Sequence, residues 1–319
     1  MKLDDETLQA IAKDLGIGQS YSKGQRISVR NCWHFCTDGN AIDALFIDET
    51  DFSAGMNRIF ILSRKYKIVI LAFVLMDTHV HFILWGDFDE CNRFIHEFVR
   101  RTSMFISRHH GETHKLEGVP VRASAIGDDM YLKTAICYVV RNPPVGGIDF
   151  NAVDYPWSSG PLYFRKAGNW ASPSWAAADF YEVAHQTARE RKSLLRTSEY
   201  RGFEARMFGK IVFPGDYVAY EIVEQLFRSP KGYNYFLGRN KDEDIEASGS
   251  ISHLSIPMQE MRQHKNELCL KMFGVKTIKS LNTSHRLRLA KALRSRYDSS
   301  PKQVSRLCGL VYDEVKKLI

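Results

Sequence analysis

Two apolar runs with a short break between them, KIVILAFVLM and HVHFILWG, constrain this chain more than any other feature. The first is apolar on both faces, as a strand in the middle of a covered sheet should be. Met76-Asp77-Thr78 reads as a tight turn, so the second run should return antiparallel. Side chains alternate across a strand, so His79 and His81 project from one face into one small volume. Buried imidazoles need partners. A divalent metal would satisfy both rings, and so would a pair of ordinary hydrogen bonds.

The segments around this pair give the element order. Residues 4–15 predict a short helix capped by Asp4 or Asp5. ISVRNCWHFCTDG predicts a strand ended by Asp-Gly, and ALFIDETDF a strand edge entering a helix. DFSAGMNRIFILSRKY has Met56, Ile59, Phe60 and Leu62 at helical spacing. Residues 90–109 predict a helix with Phe94, Phe98 and Phe105 on one side. GVPVRASAI reads as a loop or short strand. GDDMYLKTAICYVVRNPP reads as a helix with Asp128 at its N-cap and a stop at Pro143. Strand, helix, strand, strand, helix, helix describes an α+β fold, one antiparallel sheet with helices packed on it. Residues 171–240 read as helix-rich, NKDEDIEASGS (240–250) as a linker, and the remainder as helices near 258–273, 284–297, 300–308 and 312–319.

A metal held by two histidines is incomplete, and the helix ICYVVRNP supplies further groups. Tyr138 and Asn142 lie four residues apart on one helical face, at the edge of the stripe made by Leu132, Ile136, Val139 and Val140. Asn142 can offer a carbonyl oxygen, and the Tyr138 hydroxyl can reach a cleft. Imidazole plus oxygen ligands suit Mn²⁺, and tolerate Mg²⁺ where substrate phosphate completes the shell. A metal, two histidines and a tyrosine can attack a phosphodiester and form a covalent phosphotyrosine. Tyr131, seven residues earlier on the same face, is a rival nucleophile. Of the other histidines, His34 in WHFC reads as a satisfied strand histidine. His109, His110 and His114 lie in SRHHGETHK, which reads as a solvated loop with a second metal site as the alternative. Arg100, Arg101 and Arg108 either follow a DNA backbone or face water.

LMDTHVHFILWG resembles the His-hydrophobic-His motif of the single-tyrosine HUH transposases. YVVRNPPVGGIDFNAVDYPWSS resembles the tyrosine, Asn-Pro and Trp-Ser-Ser segments of one branch, the REP-associated tyrosine transposases, and ALFIDETDFSAGMNRI resembles that branch's early segment. The likeness covers roughly residues 28–160. It implies a ferredoxin-like HUH catalytic domain with His79 and His81 as metal ligands, Asn142 as third ligand, Tyr138 as nucleophile, and single-stranded or hairpin-forming repeat DNA as substrate. Where the family has Pro-Asn before the first histidine, this chain has Asp77-Thr78. That departure motivates the other class of reading, a hairpin-binding protein of the same fold without catalysis. A histidine phosphotransferase of the H-x-H-x-H kind is disfavoured because position 83 is Ile.

The charge is placed unevenly along the 319 residues, which carry a net +7. Residues 257–319 hold 14 Lys and Arg against 5 Asp and Glu, a net of +9, which leaves residues 1–256 at −2. Such a tail favours a polyanion partner. Ser300-Pro301 opens a helix, Gly309 makes a turn, and Tyr312–Ile319 would be the recognition helix of a helix-turn-helix, its seam made by Val304, Leu307, Leu310 and Val315. Arg286, Lys302, Arg306 and Lys316 are the candidate DNA contacts there. The expected division is an N-terminal extension (1–27), a catalytic domain (28–165), a helical connector (166–250) and a basic C-terminal domain (251–319). No run reaches the length of a membrane span. The six scattered cysteines, with Cys32 and Cys36 a weak zinc signal, read as reduced. The expectation is a cytoplasmic protein without a membrane partner, with a homodimer left open.

Overall fold

Neighbouring residues of one strand define the layers of the molecule. The computed structural model describes residues 3–20, 25–37, 45–111, 119–145, 148, 151–165, 181–196, 204–238, 258–275, 277–297 and 301–312. The chain forms two compact units, residues 1–239 and 240–319.

In the first unit, helix α1 (Asp5–Asp14) precedes β1 (Cys32–Thr37), α2 (Glu49–Ser63), β2 (Ile68–Leu75), β3 (Val80–Gly86), α3 (Phe88–His110), β4 (Val121–Ala125) and α4 (Asp129–Val145). The four strands lie in the order β2-β3-β1-β4, and every neighbouring pair is antiparallel. This is a split β-α-β arrangement: β1 and β2 flank β3, and β3 and β4 flank β1. Phe82 points to one face, its ring 5.4 Å from Phe94 and 5.3 Å from Phe98 of α3. His81 points to the other, its ring 5.3 Å from Tyr138 of α4. The sheet is therefore covered on both faces, which explains why β2 is apolar throughout.

β2 is the outer strand, and its open edge is covered by chain that follows α4. Leu75 donates its amide to the Trp157 carbonyl at 2.9 Å, and the Ser159 amide donates to the Phe73 carbonyl at 3.0 Å. The Ser159 hydroxyl accepts from the Phe73 amide at 3.0 Å. Tyr155 and Tyr163 donate their hydroxyls to the Leu75 and Leu71 carbonyls at 3.0 and 2.6 Å. Farther along, the Ala219 amide donates to the Ile70 carbonyl at 2.9 Å. The Trp-Ser-Ser segment thus acts as an edge cover, satisfying polar groups that burial would otherwise strand.

Four expectations need correction. Residues 45–48 are not a strand: the Leu45 and Phe46 amides both go to the Asp77 carbonyl, and the Ile47 amide goes to the Asp51 carboxylate, so no ladder can form. α4 runs past Pro143 and Pro144 to Val145. Each of the two prolines removes one bond to the preceding turn, and Arg141, just before them, bonds the Phe236 and Leu237 carbonyls. Residues 166–250 are not a purely helical connector. Their described part holds a three-stranded antiparallel sheet, β5 (Tyr181–Glu182), β6 (Arg206–Phe208) and β7 (Ile211–Val212), with α5 (Ala188–Leu195), α6 (Tyr220–Phe227) and α7 (Pro230–Leu237). Buried Asn57 of α2 fastens this segment, donating to the Leu194 and Lys210 carbonyls at 3.0 and 2.8 Å and accepting from the Val212 amide at 2.8 Å. The N-terminal extension is likewise part of the first unit. Asp14 accepts from Asn31 at 2.9 Å and from Trp85 at 3.1 Å, and Ile11 and Leu15 are buried.

The second unit is helical among its described residues: α8 (Met258–Phe273), α9 (Thr283–Tyr297) and α10 (Pro301–Cys308). Leu268, Leu289, Leu293, Val304 and Leu307 form its core, with Leu310 packed against it. Gly309 takes a positive φ of 62°, which ends α10 in the left-handed turn that glycine favours. Val315 and most of the expected recognition helix lie outside the described residues. All six cysteines are free and buried, and no described helix is long and apolar enough to cross a membrane.

Replacing Ser159 by Ala leaves the buried Phe73 amide without its partner. We expect a loss of about 1–3 kcal/mol in denaturant unfolding, the cost of one stranded buried donor. An unchanged midpoint would mean that the edge cover contributes nothing to stability.

Candidate functional site

Three polar side chains meet where the start of β3 faces the last turns of α4. His79 Nε2 lies 3.0 Å from Asn142 Oδ1, and Asn142 Nδ2 lies 3.2 Å from His81 Nε2. The two rings stand edge-on, 4.9 Å apart. The strand alternation places both imidazoles on the face that α4 covers, and the four-residue spacing puts Asn142 and Tyr138 on one side of the helix. Tyr138 is 7% exposed, Asn142 5% and His81 4%, whereas His79 is only half-buried. The cluster therefore opens to solvent on the His79 side.

Each histidine is held by a further group. The Thr78 hydroxyl is 2.9 Å from His79 Nδ1. His34, on β1, places Nε2 3.1 Å from His81 Nδ1. This is more than the satisfied strand histidine expected from the sequence: His34 Nδ1 is buried without a hydrogen-bond partner among the described residues. If Asn142 Nδ2 donates to His81 Nε2, then His81 Nδ1 carries the proton and donates to His34. That tautomer keeps the Nε2 lone pair of His81 directed at the cluster, as a metal ligand requires. Burial, then the neighbouring His79 and His34, push the His81 pKa well below its usual value. Burial pushes His34 down to about 3. Both rings are therefore neutral near pH 7.

Tyr131 occupies a different setting. Burial, followed by Asp128 and Cys36, raises its pKa to about 12, which opposes formation of a phenolate. Asp128 is the cap expected from the sequence, accepting from the Tyr131 amide at 2.8 Å.

Arg100, Arg101 and Arg108 of α3 line one groove of about 280 Å³ together with Arg58 and Arg196. Arg101 spends its charge on Glu97, with Nε 2.8 Å from the carboxylate. Burial would raise Glu97, but hydrogen bonds from Lys65, Tyr66 and Arg101 outweigh it and hold the carboxyl at about 2. Arg58 is buried, bonds the Thr102 hydroxyl at 2.7 Å and is pushed down to about 9 by burial and by Arg101, against the pull of Asp51. Sequence reasoning misses Arg58 and Arg196; a lone arginine inside the apolar stripe of α2 is the signal that could find the first. In the second unit, Arg286 bonds the Leu281 carbonyl at 3.0 Å and the Gly309 carbonyl at 3.5 Å, a use within the fold. Lys302 and Arg306 fall on α10, but their side chains, and Lys316 altogether, lie outside the described residues.

His109 and His110 are not in a loop. They form the last turn of α3, where Asp48 and Asp51 join them, and one ligand atom from each of the four lies within 4.8 Å of the others. His114 lies outside the described residues.

The buried imidazoles set a pH dependence. Unfolding frees His34 to take up a proton below its ordinary 6.5, whereas the folded ring resists down to about 3. Its contribution is thus intact above about pH 6.5 and is lost progressively as the pH falls toward 3, by up to about 1.4 kcal/mol per pH unit. His34→Gln should show a shallower fall in unfolding free energy between about pH 7 and pH 5 than the parent does. Parallel curves would mean that His34 titrates alike in both states.

No protein-family model matches the sequence, and no curated protein matches it. Among solved structures, the chain is similar to a REP-associated tyrosine transposase bound to a REP hairpin, at 18% identity and a TM-score of 0.33, over 50% of this chain and 98% of the other.

Proposed function

We propose that the protein is a metal-dependent strand transferase for single-stranded, hairpin-forming DNA, with Tyr138 as its nucleophile. The observation that carries this reading is the convergence of His79 Nε2, His81 Nε2 and the Asn142 carboxamide, with the Tyr138 ring against His81. The 3.0 Å between His79 Nε2 and Asn142 Oδ1 is that of adjacent ligands around a cation with bonds of about 2.1 Å, and His81 Nε2 stands at the same carboxamide. Two imidazoles and a carboxamide oxygen fit Mn²⁺ or Mg²⁺, where phosphate oxygens would complete the shell. Such an ion, when bound, supplies polarisation of a phosphate oxygen.

The residues of the chain divide the remaining work. In the ligand-competent form His79 carries its proton on Nδ1, donated to the Thr78 hydroxyl, which frees Nε2. His34 holds His81 in the matching tautomer. The Tyr138 oxygen forms a bond to phosphorus as the bond from phosphorus to a sugar oxygen breaks; the phenol proton is released and the departing oxygen takes one up. One phosphorus–oxygen bond forms as one breaks, so a second strand's hydroxyl can reverse the step and restore the tyrosine. The arginine groove of α3 follows the phosphate backbone, and the second unit, read as a helix-turn-helix with Lys302, Arg306 and Lys316, adds phosphate contacts. The other reading, hairpin binding without catalysis, is favoured by one observation: the Asn142 carboxamide already bridges the two histidines by hydrogen bonds.

A covalent protein–DNA adduct that survives boiling in detergent separates the two. We expect Tyr138→Phe to abolish it while hairpin binding persists, and EDTA to suppress it with recovery on adding Mn²⁺. An adduct retained in Tyr138→Phe and lost in Tyr131→Phe would overturn the assignment, and no adduct with any hairpin and Mn²⁺ would leave the binding protein.

Deletion of residues 257–319 removes the net +9. We expect weaker DNA binding and a shallower slope of log affinity against log salt, by about 0.7–0.9 for each phosphate that is no longer neutralised. Cleavage of a short hairpin at high concentration should persist. An unchanged slope would show that the tail does not touch phosphate.

A further inference from the structure

We propose that Asp48, Asp51, His109 and His110 form a second divalent-metal site, distinct in its residues from His79, His81 and Asn142, that binds Zn²⁺ and ties the start of α2 to the end of α3. The four residues come from two helix ends. Asp48 is the N-cap of α2 and Asp51 its third residue, in a reciprocal capping box. His109 and His110 are the last two residues of α3.

The geometry goes beyond a cap. His109 Nε2 and His110 Nε2 lie 3.4 and 4.0 Å from the same oxygen of Asp48, and His110 Nε2 lies 2.9 Å from Asp51 Oδ2. Tetrahedral ligands with bonds of about 2.0–2.1 Å stand about 3.3 Å apart, within this spread. The two rings lie 4.7 Å apart at 77°, and His109 stacks on Phe105 at 5.5 Å. Both carboxylates are oriented by backbone amides, Asp48 Oδ1 accepting from Asp51 and Asp51 Oδ2 accepting from Ile47. Such outer bonds are what position metal ligands.

Asp51 is the buried member of the set: its side chain is fully buried, its Oδ2 faces His110, and its Oδ1 has no hydrogen-bond partner among the described residues, so the carboxylate is only partly satisfied where burial makes that costly. Two carboxylates and two imidazoles, a closed set from well-anchored helix ends, suit zinc in a structural role. On binding, each ligating imidazole nitrogen gives up its proton or presents its lone pair, and the Asp51 contact to His110 is exchanged for one to the ion.

The test uses the full-length chain, freed of metal by chelation and titrated with Zn²⁺ alone. Bound zinc per chain and the melting temperature are measured for the parent, for His109→Gln/His110→Gln, and for Asp48→Asn. We expect each variant to bind one zinc fewer than the parent and to lose most of the zinc-dependent rise in melting temperature, whatever His79 and His81 bind. Metal-free melting curves identify any variant that does not fold; His109→Gln alone, at a partly exposed side chain, then takes its place. Folded variants with the parent's zinc count and melting response would overturn the proposal and leave the cluster as a pair of capped helix ends.

Discussion

A strand covered on both faces must send each successive side chain into a different layer, and β3 does so with residues of opposite chemistry. Val80, Phe82 and Leu84 enter the apolar layer under α2 and α3. His79 and His81 enter the layer under α4. A slip of one residue in pairing would bury both imidazoles among the phenylalanines and turn Phe82 toward Asn142. The aromatic cluster of Phe82, Phe94 and Phe98 thus fixes the register that assembles the histidine cluster. Packing on one side of the sheet determines chemistry on the other.

That arrangement costs stability. His34 and His81 are nearly or fully buried with pKa values pushed down by burial, and His34 leaves one ring nitrogen without a partner among the described residues. A core chosen for stability alone would place aliphatic side chains there. What the polar cluster provides is a set of neutral, oriented lone pairs. Elsewhere the unit compensates with fully bonded polar groups such as Asn57, whose amide meets three backbone partners.

Much of this is legible in the sequence because periodicity reports local elements well. β2, β3, α2, α3 and α4 can be read from apolar spacing and caps, and the facing of His79, His81, Tyr138 and Asn142 follows from two simple periods. What escapes reading depends on distant partners. The strands of residues 181–212 have two or three residues each, too short for alternation to register, and one of them, β7, is tied by its Val212 amide to the distant Asn57. His34 pairs with His81 only through the β1–β3 ladder. Asp48 and Asp51 lie about sixty positions from His109 and His110, and each pair alone looks like an ordinary helix end. Pro143 misleads because a proline inside a helix is disfavoured, yet α4 continues to Val145.

The cover over β2 has a consequence for assembly. An open strand edge is a template on which another chain can add a strand of its own. Here Trp157, Ser159, Tyr155, Tyr163 and Ala219 already occupy the outward-facing groups from Ile70 to Leu75. Growth of the sheet past β2 is closed to a second copy and to an extended peptide alike, unless the chain after α4 is first peeled away.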